Sequence, residues 1–150
     1  MRQLTFGALV LLAGFAQAAA AADVGQIKNA KGGVVVVRGG QEIAATSGTV
    51  LQHADRIVTK ADGSAGITFK DNSLLSLGPD SMLDIGKFSF DVKDQPDELE
   101  ATLHRGTLSA VSGKIVARTP EAMRIKTPTT VLGVRGTEFF VKVTNPEPGK

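Results

Sequence analysis

Apolar residues along this chain recur at every second position in short runs, and the three-to-four spacing of a helix is nearly absent once the first 22 residues are set aside. Val34 to Val37 is a continuous valine run closed by Arg38-Gly39-Gly40, which predicts a buried strand followed by a turn. Ile57-Val58-Thr59, Ala65 to Phe69, Leu75 to Leu77 and Leu83 to Ile85 then follow at intervals of about eight to ten residues. Asp62-Gly63, Asp71-Asn72 and Gly78-Pro79-Asp80 punctuate them with turn chemistry. Phe88 to Glu100 breaks the pattern with Asp91, Asp94, Pro96 and Asp97 and reads as a strand end followed by an exposed loop. Strands are predicted again at Ala101 to Leu103, Thr107 to Val111, Lys114 to Ala117 and Met123 to Lys126, with a turn at Arg105-Gly106.

Two echoes sharpen this all-β reading. Ser73-Leu74-Leu75-Ser76-Leu77-Gly78 matches Ser81-Met82-Leu83-Asp84-Ile85-Gly86 position by position at a period of eight, and Ala117-Arg118-Thr119-Pro120 is echoed by Ile125-Lys126-Thr127-Pro128 at the same period. Strands so short bury little alone and must stack on their neighbours. The expected architecture is a short-strand β-solenoid or β-roll-like domain, with a β-sandwich as the alternative that gives a similar spacing.

The ends of the chain differ from its middle. Residues 1–22 carry Arg2, the apolar run Leu9 to Ala13 and a small-residue exit through Ala16-Gln17-Ala18 to Ala22, the organisation of a cleaved secretory signal peptide. The tail, residues 144–150, holds two prolines and no apolar run, and is expected to be disordered. Between them, residues 23–143 form a single all-β domain. The expected location is therefore the periplasm, or outside the cell, with no stable membrane insertion after cleavage.

Composition closes several routes to chemistry. The chain has no cysteine, which removes disulfides, thiolate metal sites and cysteine nucleophiles. Its two histidines, His53 and His104, lack a serine and carboxylate at a triad spacing, so neither a catalytic triad nor a metal centre is expected. Carboxylate pairs such as Asp80 with Asp84, or Glu98 with Glu100, would need a cleft that the sequence does not announce. No tryptophan or tyrosine is available to stack on a sugar or base, and the formal net charge is only +2, so a nucleic-acid partner is not expected. No catalytic residue, cofactor or metal is assigned. Acidic residues gather at Asp91 to Glu100 and basic ones in the last third, from Arg105 to Lys142.

Thr127 to Val143, TPTTVLGVRGTEFFVKV, points beyond a generic fold. Pro128 fixes its own backbone and extends Thr127, while Gly133 and Gly136 allow a tight corner around Arg135. Phe139 and Val141 share a strand face, and Val131, Phe139, Val141 and Val143 are expected to enter the core. Arg135 either locks the corner, by capping carbonyls or pairing with Glu138 or Asp55, or presents its fork to a partner's carboxylate. Thr137 is expected to satisfy backbone groups at the same corner.

The order Thr127-Pro128, Gly133-Val134-Arg135-Gly136-Thr137, Phe139 and Val141 resembles the closing signature of the FecR-type periplasmic domain. Upstream, Gly48 to Leu51 leading to Ala54-Asp55-Arg56-Ile57-Val58-Thr59, and Gly63-Ser64-Ala65 to Phe69-Lys70-Asp71-Asn72-Ser73, are similar to that family's earlier segments. The resemblance runs from Val24 to Val143. It implies a signal-receiving domain of the cell envelope, here expected as a stand-alone exported form without the anti-sigma region and membrane span of regulatory relatives. The function expected from it is a non-enzymatic interaction or sensing module that contacts an envelope protein. An envelope polysaccharide, met by the basic last third, is the alternative partner.

Overall fold

The computed structural model describes residues 22–136 and 138–144. The expected signal peptide, apart from its last residue, lies outside the described residues, as do Thr137 and the tail beyond Thr144. Strands β1 (Asp23–Lys31), β2 (Val34–Arg38), β3 (Gln41–Ala44), β4 (Val50–Gln52), β5 (Arg56–Thr59), β6 (Ser64–Phe69), β7 (Leu74–Leu77), β8 (Met82–Ser89) and β9 (Glu98–Val111) are followed by a short helix α1 (Lys114–Arg118) and by β10 (Met123–Lys126), β11 (Val131–Gly133) and β12 (Glu138–Val143). All join one curled sheet, ordered β3-β2-β5-β8-β9-β7-β6-β1-β4, with β10 and β12 attached to β9 and β11 to β10. The expected all-β class of short strands is what the chain adopts. No helix among the described residues is long and apolar enough to cross a membrane.

The alternation read from the sequence becomes the core. Ile57, Ala65, Ile67, Phe69, Leu75, Leu77, Leu83 and Ile85 all point inward, and the Phe69 ring stacks on Phe88 with centroids 5.5 Å apart. Burying each large aliphatic or aromatic side chain contributes about 1.5–3 kcal/mol, which is what holds a cysteine-free domain together.

β9 organises the rest. Its first half lies between β8 and the parallel strand β10, and its second half between β7 and β12. Inward positions are odd-numbered at Leu99, Ala101 and Leu103 but even-numbered at Leu108 and Ala110. A regular strand cannot change phase in this way. The switch occurs at Gly106, whose φ of +92° is left-handed, so the expected turn at Arg105-Gly106 is a corner inside one continuous strand.

Two departures have local causes. β1 escaped prediction because register shifts at Asp23/Gly25 and Ile27/Asn29 spread its buried residues, Val24 and Ile27, to a spacing of three. Lys114 to Ala117, read as a strand from Ile115-Val116, is helical. Its first amides are captured by Asp71, Lys114 N–H by the main-chain oxygen and Ile115 N–H by the side chain, so tertiary bonding overrides a β-branched propensity.

Candidate functional site

The upstream segments that resemble a known family turn out to supply the fold's internal polar ties. Asp55 is fully buried and accepts two bonds from Arg38, Nε at 2.8 Å and a terminal nitrogen at 2.7 Å, together with the Gln52 N–H at 2.8 Å. Arg38 also donates to the Val50 carbonyl, so one guanidinium ties β2 to β4 and to the turn before β5. Thr59 Oγ1 donates to the Gly78 carbonyl at 2.6 Å and accepts the Ser81 N–H at 2.9 Å.

The eight-residue repeat is also structural. Asn72 and Asp80, at equivalent positions, both have positive φ, and the serines that follow are both fully buried. Ser73 Oγ accepts the Gly113 N–H and Ser81 Oγ accepts the Thr107 N–H, each at 3.0 Å. The two copies thus lie end to end along β9, one serine accepting from Thr107 within the strand and the other from Gly113 just beyond its end. Asp71 completes the first copy by accepting from Ser73 N–H and Oγ. The second echo is not structural, since Ala117-Arg118 ends α1 whereas Ile125-Lys126 is in β10.

One titratable cluster stands on the outer face. Asp84 accepts from Arg56 at 2.5 and 2.8 Å, and His104 Nε2 lies 2.8 Å from the same carboxylate. The Arg56 bonds above all, with help from His104, hold the Asp84 carboxyl below its ordinary value of 3.8, against partial burial that raises it. The folded value lies below the unfolded one, so this contribution to stability is present above the ordinary carboxylate range and is lost as pH falls through the folded value. Asp84→Asn is expected to flatten the acid limb of a melting-temperature profile; an unchanged limb would remove Asp84 as its cause.

The acidic stretch is partly neutralised from within the chain, because Arg118 reaches Asp91 and Asp97 at 3.1 and 3.2 Å and lies over the Phe90 ring. Among the described residues, no three potential ligands converge on a metal position.

The signature segment forms an exposed hairpin and the strand that follows it. Thr127 closes the turn, its N–H donating to the Thr130 carbonyl and its Oγ1 accepting the Thr130 N–H at 3.1 Å, while Pro128 sits in the loop. Gly133 ends β11 in ordinary backbone geometry. Gly136 is the glycine with positive φ, +118°, and its carbonyl accepts the Ser112 hydroxyl. Phe139 is half-buried against the core and Val141 is buried, as expected, with Val143 partly so. Val131, in contrast, is 58% exposed, because β11 borders β10 on one side only, and the core position is taken by Val134. Arg135 pairs with Glu121 and not with Glu138 or Asp55; Asp55 is already occupied by Arg38. Both partners are largely exposed, at 73% and 68%. A cleft of about 440 Å³ between the Thr127–Thr130 turn and β12 is walled by His104 and Lys142.

The missed residues are the inward polar ones. An Asp two places before Ser, as at Asp71 and Ser73, is an Asx-turn signal that could have identified that tie.

A protein-family model described as FecR protein matches residues 55–148, more than half of the chain. No curated protein and no solved structure matches it.

Proposed function

The chain belongs to the FecR protein family, and from that premise we propose that it is a non-enzymatic signal-receiving module of the cell envelope, acting through contacts with an envelope protein. The observation that carries this reading is the division of labour along the family's segments. Asp55, Thr59, Asp71 and Ser73 are spent inside the fold as polar ties, whereas Val131 and Arg135 stand exposed beside the edge of β11 that has no strand partner among the described residues. An open edge takes a partner strand through main-chain bonds, and side chains next to it supply selectivity. Arg135, paired among the described residues with the exposed Glu121, offers its two-pronged fork to a partner's carboxylate. Export to the periplasm, with removal of residues 1–22, supplies the compartment.

Capture from envelope extract on the immobilised full chain tests this. The expected result is a specific envelope protein retained by the natural chain and lost with Arg135→Ala. The same substitution should change stability by less than about 1 kcal/mol, because exposed ion pairs contribute little. Recovery of nothing above background would count against the reading. A large drop in stability would instead make Arg135 a structural lock.

A further inference from the structure

β12 borders β9 along one edge, and among the described residues its other edge has no strand partner. Unpaired N–H and C=O groups in such a row are a template for another strand. The sequence of that edge, Glu138-Phe139-Phe140-Val141-Lys142, is self-complementary about its centre. Laid antiparallel to a second copy about Phe140, each Glu138 lies opposite the other copy's Lys142, Phe139 lies opposite Val141, and Phe140 meets itself.

The surroundings agree with that pairing. Glu138, Phe140 and Lys142 are exposed, while Phe139 and Val141 face inward. Within the chain Glu138 and Lys142 lie opposite Val111 and Thr107, and neither enters an ion pair among the described residues. Phe140 is 67% exposed, and its cross-strand neighbour is Ser109, followed by Ser76 in β7, both polar. The other strands at open edges lack this symmetry of charge: β11 is Val-Leu-Gly, β4 is Val-Leu-Gln, and β3 has Glu42 without a basic residue.

We propose that β12 is a homodimerisation strand, through which two copies of the chain join edge to edge, antiparallel about Phe140, and continue one sheet across a two-fold axis. The contact is isologous: each copy contributes the same acid, ring and base. Two cross-strand Glu–Lys pairs fix its register, and the paired Phe140 rings bury each other. An interface of one short strand is small, so dimerisation depends on concentration. Leu132 and Gly133 of β11 line one cleft with Glu138 to Val141, so a second copy on β12 and a partner on β11 would be neighbours.

Sedimentation velocity of the full chain over a rising concentration series tests the proposal. The natural chain should pass from monomer to dimer. Glu138→Lys or Lys142→Glu alone sets like charges opposite each other twice and should weaken the dimer about tenfold or more, and the double swap should restore it. Phe140→Cys, in a chain with no cysteine of its own, should give an interchain disulfide on mild oxidation, since directly opposed Cβ atoms lie within reach of one. Val131→Cys should not. A chain that stays monomeric, a dimer indifferent to the single reversals, a double swap that does not recover, or equal cross-linking at both positions would overturn it.

Discussion

Replacing Arg38 with alanine is expected to destabilise the fold by about 3–5 kcal/mol, more than replacing its partner Asp55. The asymmetry follows from where each charge is left. Asp55 is fully buried beneath Arg38, so without Arg38 its carboxylate keeps, among the described residues, the Gln52 N–H as its remaining hydrogen-bond donor. The Arg38 side chain is 34% exposed, so after Asp55→Ala the orphaned guanidinium can turn outward and recover its hydration. Urea unfolding of the two single variants gives the comparison directly. A larger loss from Asp55→Ala than from Arg38→Ala would mean that the guanidinium, and not the carboxylate, is the trapped charge. Replacing both with apolar residues of similar volume should recover much of the loss, because no unpaired charge would then remain.

Gly106→Ala is expected to cost about 3 kcal/mol or more, from a backbone held at a φ that side chains rarely adopt and from overpacking. An added Cβ would sit 2.5 Å from Ser81 Cα, a main-chain atom that cannot swing aside. The same Ser81 carries the hydroxyl that accepts the Thr107 N–H, so relief of the clash would sacrifice a partly buried hydrogen bond. Gly136, with a φ of +118° but nothing within 4 Å of an added Cβ, should lose only about 1 kcal/mol on the same change. Thermal or urea melts of the two alanine variants separate steric crowding from backbone preference. Equal losses at both positions would show that the crowding at Gly106 relaxes freely.

Much of the sheet was legible because period-two alternation survives wherever a strand keeps one register. β2, β5, β6 and β7 fall where the valine, isoleucine and leucine positions put them, and in β8 the predicted Leu83 to Ile85 lie between its two register shifts. The alternation failed in β1, where bulges insert residues, and across Gly106, where one strand changes the face it buries. It also failed at Lys114–Arg118, whose helical turn is imposed by Asp71 from 43 residues away in sequence at Lys114. At the signature segment the glycine spacing pointed to a corner between Gly133 and Gly136, of which only Gly136 has positive φ, while the hairpin turn closed by Thr127 and Thr130 carried no such signal. Which acid Arg135 meets depends on how Glu121 and the hairpin come together in three dimensions, and no local spacing contains that.

The end-to-end seating of the eight-residue repeat on β9 creates a hazard for the folding chain. Each copy carries the same buried serine, the same pair of inward aliphatic residues and the same closing glycine, so either could be offered to the other's berth by a slip of eight residues. The second and fifth positions exchange one apolar residue for another, so what distinguishes the copies in polarity is the fourth position, Ser76 in one and Asp84 in the other. Asp84 meets Arg56 from β5 and His104 from β9, so a slip of eight residues would set Ser76 against them and forfeit these charged contacts. The same contacts that stabilise the finished sheet would thus also set its register.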